Sequence, residues 1–352
     1  MKKNFAPFTT CGEGWKLTAF PAGKSVLELA NDTRVLMRVN RGEFAGFSEV
    51  SALPEIFRLH RAEDGFSAEL ETRSVIPFGS EFKVERNVVI TNGAASMVTS
   101  VAACNRGEVG NITLESLEFP GPWAKVSYLL YGDEKMHSCK YRENASFYEG
   151  AELPWYIQVE YRDGSKAEFM TGSDVWRHRA GVRMEGVTAK FRIADAEGTL
   201  VFERAVLQYA EETPIEKRPW QFETLFAWSA PFEEVAESSC EEIPVPGCIA
   251  SRNVQKTLRH AVRSSEKSVK LTNYTARFCD EAAHLDRPGK KVLEHIDLQE
   301  LFQFSRWANR QLNKKGLTLT VVPGEEKLLP DSLLIQRLGK MPQPLLGDED
   351  EE

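Results

Sequence analysis

Phe82-Lys83-Val84-Glu85-Arg86-Asn87-Val88-Val89-Ile90 runs into Thr91-Asn92-Gly93 and then into a second apolar stretch, Met97 to Ala103. Apolar and polar residues alternate along the first run, the period of a strand with one buried face. Asn-Gly between two such runs is the strongest short hairpin signal, because both residues tolerate positive φ in a type I′ turn. The segment reads as a β-hairpin.

The same grammar extends outward. Val35-Leu36-Met37-Arg38-Val39 is a strand run upstream, and Asn105-Arg106-Gly107 turns the chain downstream. Tyr156 to Tyr161 turns at Asp163-Gly164 into Ala167-Glu168-Phe169-Met170, and Val187 to Ile193 turns near Glu197-Gly198 into Leu200-Val201-Phe202. No βαβ alternation and no long amphipathic helix occurs before residue 249. Short strands at this spacing predict antiparallel sheets packed face to face. The expected fold is mainly β: a large antiparallel sandwich over 10–245, with a smaller α-helical C-terminal extension.

Pro244-Val245-Pro246-Gly247 marks the change of regime. Beyond it Val254, Leu258, Ala261, Val262, Ser265 and Val269 fall at helical spacing. Asp297 with Glu300 suggests a capping box for a second helix, ended by Gly316, and Leu317 to Val322 reads as a strand. The expected organisation is a helical region with one or two strands over 249–340, then an acidic disordered tail over 341–352.

Apolar residues make up 42% of the 352 residues and charged residues 27%, an ordinary globular balance. Charge is unevenly placed. Residues 1–248 carry 27 Lys and Arg against 37 Asp and Glu, whereas residues 249–316 carry 14 against 7. A basic helical segment thus follows an acidic body. It suits docking on that body or facing solvent, and the acidic whole argues against nucleic acid. No apolar run is long enough for a membrane helix. The N-terminus has no apolar core of a signal peptide, so a cytoplasmic location is expected unless a leader has been removed. Six scattered cysteines without a C-x-x-C read as reduced thiols.

Gly23-Lys24-Ser25 mimics the end of a P-loop, but Thr18 stands where its first glycine must be. Gly12-Glu13-Gly14 lacks the third glycine of a dinucleotide fingerprint. No G-x-S-x-G, H-E-x-x-H or EF-hand pattern occurs. Cys279-Asp280-Glu281 with His284 admits either a surface helix or a metal, and the reading adopted is that of a helix: neither metal nor cofactor is expected.

The densest polar and aromatic knot is Asp174, Trp176, Arg177, His178 and Arg179, with Arg183 after it. A Trp face can stack on a sugar ring while Asp and Arg bond its hydroxyls or an acidic substituent. His178 beside Asp174 could serve as general acid or base. The plainer reading of the knot is a solvated strand end with Trp176 in the core and the arginines in water.

The stretch from Phe82 to Trp123 resembles the supersandwich of galactose mutarotase-like proteins (aldose epimerases and related glycoside hydrolase domains). The counterparts are the Phe82–Ile90 strand, Asn92-Gly93, the return strand, Asn105-Arg106-Gly107, and a third strand from Ile112 to Pro120. Phe119 stands where the family has a His before Pro. The resemblance therefore implies the fold and a sugar ligand more than standard C1 epimerisation.

Together these readings expect a protein that binds or processes a carbohydrate, an acidic one given Arg177, Arg179 and Arg183. Asp174 and His178 would transfer protons, and Trp155 and Trp176 would form the stacking platforms. The alternative is a non-catalytic interaction or scaffold protein that recruits a partner, or self-associates, through the basic C-terminal helices.

Overall fold

The computed structural model describes residues 7–12, 14–20, 22–44, 47–48, 50–51, 57–61, 68–76, 82–91, 93–103, 111–130, 135–150, 154–171, 187–209, 220–229, 240–247, 249, 251–274, 290–323 and 332–337. Most of them lie in two large antiparallel sheets. The first runs in the order β1 (Phe8–Gly12), β2 (Trp15–Ala19), β3 (Ser25–Ala30), β4 (Val35–Asn40), β12 (Asn111–Pro120), β19 (Thr199–Tyr209), β18 (Val187–Ala196) and β15 (Ser146–Gly150). Short β5 (Glu43–Phe44) pairs with β12 and with β6 (Phe47–Ser48).

The second sheet runs β14 (His137–Lys140), β13 (Trp123–Leu130), β16 (Pro154–Tyr161), β17 (Lys166–Thr171), β20 (Trp220–Trp228), β11 (Ala94–Ala103), β10 (Phe82–Thr91), β9 (Ala68–Ile76) and β7 (Val50–Ser51), with β8 (Phe57–Arg61) paired to β9. The expected hairpin is β10–β11, with Thr91 opposite Ala94 across a two-residue loop. Gly93 in that loop has φ +76°, and a Cβ there would collide with the Arg337 guanidinium.

The sheets are held face to face by the alternating apolar residues. Leu17, Leu27, Leu29, Met37 and Val39 of the first meet Val88, Ile90, Ala95, Met97 and Phe226 of the second around a cavity of about 20 Å³. That is room for about one water, so this part of the interior is core and not a ligand site. Phe119 and Phe226 lie 6.3 Å apart across the interface, and Phe169 and Phe202 5.2 Å apart. The mainly-β sandwich expected from the hairpin grammar is the fold observed.

The C-terminal part is more than helical. A three-stranded parallel sheet joins β21 (Cys240–Pro244), β22 (Ser268–Tyr274) and β23 (Leu319–Pro323). Helices α1 (Arg252–Ser264) and α2 (Lys290–Asn313) form the two crossovers, as parallel pairing demands. Val269 falls in β22 and not on the α1 stripe. The helix stops at Ser264, where the Ser265 Oγ–H donates to the Ala261 carbonyl at 2.8 Å and Lys315 Nζ donates to the Arg263 and Ser265 carbonyls at 2.8 and 2.9 Å. Asp297 stands inside α2, which begins seven residues earlier at Lys290, so it is not at the N-terminus of the helix. Gly316 does end α2, at φ +71°.

Helix α3 (Leu333–Gln336) packs against β17, β20 and β23 and so links this unit to the sandwich. It is seated by a carboxylate. Glu168, 0% exposed, faces outward from β17 and accepts from Gln158 Nε2 at 2.8 Å, Ser332 Oγ at 2.8 Å and the Leu334 amide at 3.1 Å. Burial, with the Glu168 charge added, pushes the neighbouring Tyr156 phenol well above its usual value. Arg337 closes the turn by donating to the Gly93 and Trp228 carbonyls. Among the described residues no helix is long and apolar enough to cross a membrane.

Candidate functional site

The face of the first sheet turned away from the second is polar where the inner face is apolar. Period-two alternation makes this so: Val39, Leu117, Phe119, Ile193 and Phe202 are buried, and their chain neighbours point outward. Register then aligns the outward residues in rows. Ser25, Asn40, Ser116, Glu203 and Arg192 are successive cross-strand partners, as are Glu28, Arg38, Glu118, Val201 and Ala194.

Small side chains at Ala194 and Ala196 leave a depression between these rows. The cleft is about 320 Å³ and is lined by Gly23, Lys24, Asn40, Arg41, Ser116, Arg192 and Glu203, together with the two alanines and Val201. That volume lies within the range of small-molecule sites. Gly23-Lys24-Ser25, the P-loop mimic, is here the β2–β3 turn at the rim. Gly23 takes φ +101°, which only glycine adopts readily.

Glu118 is the anchor beside the cleft. It is 8% exposed and accepts from Asn40 Nδ2 at 2.9 Å and from Lys24 Nζ. The Ser25 hydroxyl donates to the other side of the Asn40 amide at 3.0 Å, which fixes its orientation. Burial alone would raise the Glu118 carboxyl. Hydrogen bonds from Lys24 and Asn40, with the charges of Lys24 and Arg38, outweigh that and hold it below its ordinary value. Glu118 is therefore a fixed anion and acceptor, not a proton donor.

The rim is adjustable. Arg192 Nη1 meets Glu203 Oε2 at 3.4 Å with both side chains substantially exposed, and such pairs are worth little in water. Either can turn to a ligand at small cost. Arg41 is rigid by contrast, donating from Nε to the Gly23 carbonyl at 2.8 Å and from Nη2 to the Phe20 carbonyl at 2.7 Å. Among the described residues no three His, Cys, Asp or Glu side chains converge as metal ligands.

The lowered Glu118 carboxyl has a pH signature. A depressed folded-state value stabilises the fold above the ordinary 4.5, and that contribution is lost as pH falls through the lowered value. In chemical denaturation, the stability difference between wild type and Glu118→Gln should be constant near neutrality and shrink on acidification below 4.5. A difference that grows on acidification contradicts the assignment.

Of the residues singled out in the sequence, Asp174, Trp176, Arg177, His178, Arg179 and Arg183 belong to the 172–186 connection between β17 and β18, outside the described residues. Trp155 is placed. It sits in β16 at 0% exposure, its ring 6.2 Å from Tyr156, and offers no face to solvent in this arrangement. Trp123 and Trp228 are equally enclosed. The Cys279–His284 cluster also lies outside the described residues. Sequence reasoning met Lys24 only as part of a failed P-loop and passed over Asn40, Glu118, Arg192 and Glu203, none of which stands in a motif.

No family model matches the chain, and no curated protein matches it. The likeness in solved structures is to galactose mutarotase-like proteins. One from Clostridium acetobutylicum aligns at TM-score 0.41 and 8% identity over 63% of this chain and 94% of that one. Another, from Lactobacillus casei, aligns at TM-score 0.37 and 9% identity over 64% of this chain and all of its own, 100%. An α-galactosidase from Lactobacillus brevis aligns at TM-score 0.37 and 8% identity over 94% of this chain but 56% of that one. These are weak similarities of fold.

Proposed function

We propose that this protein binds a carbohydrate in the cleft on the outer face of its first sheet, with an acidic sugar as the best fit. The observation that carries the proposal is the composition of the cleft. Donors from Lys24, Asn40, Ser116 and Arg192 and the acceptor Glu203 line one small depression, with Glu118 behind Lys24 beside it, the arrangement that polyhydroxyl ligands need. Three cations, Lys24, Arg41 and Arg192, stand against Glu203 in the lining and Glu118 beside it, so one negative substituent on the ligand balances the site. The resemblance of Phe82 to Trp123 to mutarotase-like sequences points to the same ligand class.

Any chemistry would come from the 172–186 connection, which feeds β18 five residues before Arg192. Asp174 and His178 are its proton-transfer pair in this reading, and Trp176, Arg177, Arg179 and Arg183 its further ligand contacts. Glu118 positions the sugar and does not protonate it.

Thermal-shift measurements on the full chain with neutral sugars and the matching uronic acids test the proposal. Stabilisation should be larger with the uronic acids. Arg192→Gln should weaken that binding about tenfold, the loss of one charge-assisted hydrogen bond. The absence of a shift with any sugar overturns the reading, and an unchanged turnover in His178→Ala removes the proton-transfer part alone.

A further inference from the structure

One stripe of the exposed side of α1 is basic along its whole length. Arg252, Lys256, Arg259 and Arg263 recur at spacings of four, three and four, so they share one face of the helix. All four are exposed, while Leu258 and Val262 on the opposite face are fully buried. No carboxylate occurs anywhere in α1. The face continues onto α2 through Trp307. Arg259 and Arg263 hold their guanidinium carbons 5.3 and 5.5 Å from its ring centroid, and Arg310 and Lys314 lie exposed beyond it.

Two arginines on one half-exposed indole form a shaped cationic surface, pre-ordered by stacking. Such a surface recognises clustered carboxylates. The chain carries such a cluster in Asp348, Glu349, Asp350, Glu351 and Glu352, which lie outside the described residues.

We propose that residues 348–352 dock on this α1–α2 ridge of the same molecule. The tether allows it. Arg337 is pinned on the second sheet beside α3, α3 touches β23, and α2 packs on β23. The eleven residues from Arg337 to Asp348 reach about 36–40 Å when extended, comparable to the whole length of α2. A tether of that length supplies an effective concentration in the millimolar range, so weak screened contacts suffice. The contact covers the basic surface that would otherwise draw other polyanions.

Zero-length carbodiimide coupling of the full chain, read by mass spectrometry, tests this. At low salt, amide cross-links should join residues 348–352 to Lys256 and Lys314 within single molecules, at a yield independent of protein concentration. They should disappear at about 1 M salt, where screening acts within about 3 Å. The double variant Arg259→Gln, Arg263→Gln should lose them several-fold while keeping the circular dichroism of the parent. The proposal is overturned by cross-links that join only separate copies, by equal coupling to lysines elsewhere, or by none at all.

Discussion

Glu168→Ala is expected to destabilise the protein by about 3–5 kcal/mol, the range for removing one member of a buried charged network. The cause is specific. Ser332, the Leu334 amide and Gln158 each donate to this carboxylate, and the buried Ser332 hydroxyl and Leu334 amide would lose that acceptor, while Gln158 keeps the Tyr156 hydroxyl. Arg337 would lose its nearby counter-charge, which now opposes the downward pull of burial on the guanidinium. Glu168→Gln keeps the volume but turns an amide donor toward groups that already donate, and should cost about 1–3 kcal/mol. Urea denaturation measures both. Proteolysis near residues 332–337 should quicken in the Ala variant, because α3 is what the carboxylate seats. A Glu168→Ala protein as stable as wild type would mean that α3 is held by its apolar residues alone.

Trp123→Ala should cost a similar amount, about 3–5 kcal/mol, for a different reason. The ring is fully buried, set edge-on to Tyr141 at 4.9 Å and Phe147 at 5.5 Å. Its removal leaves a cavity that two aromatic walls cannot close. It also strips Asp195 of the indole N–H at 3.0 Å, leaving that carboxylate with the Asn144 and Gly198 amides. Trp123→Phe separates the two terms. It restores most of the volume, and should lose about 1–3 kcal/mol for the orphaned carboxylate. Equal losses in the two variants would assign the whole effect to Asp195.

Both sites show what a chain read in one dimension conveys. The alternation of Phe82 to Ile90, the turn glycines and the lack of helical period before residue 249 were enough for a mainly-β sandwich, because they are local consequences of backbone geometry. Gly316 was legible as a helix terminator for the same reason. Asp297 and Val269 were misread because caps and stripes at helical spacing also occur by chance, and contacts distant in sequence decide where a helix stops. Lys315, some fifty residues on, covers the last carbonyls of α1.

The polar cleft was not legible. Its residues come from the β2–β3 turn and four strands, between Gly23 and Glu203, and nothing in the sequence ties these segments together. Asn40 is an unremarkable strand end until antiparallel register brings it against Ser116 and Glu118. The conspicuous tryptophans drew attention for chemistry they share with core residues, and Trp155 lies in the core.

The sequence by itself determined the β-sandwich body, the opposite charges of body and helices, and the hairpins turning at Asn92-Gly93, Asp163-Gly164 and Glu197-Gly198, since propensity, turn chemistry and charge are properties of neighbours along the chain. The turn expected at Asn105-Arg106-Gly107 lies outside the described residues. Only the tertiary structure decided that the C-terminal unit is a parallel α/β sheet, that a buried glutamate seats α3, and that one polar cleft opens on the outer face. Each of those depends on register and packing between segments tens to hundreds of residues apart, where the energy of a contact has no trace in local sequence.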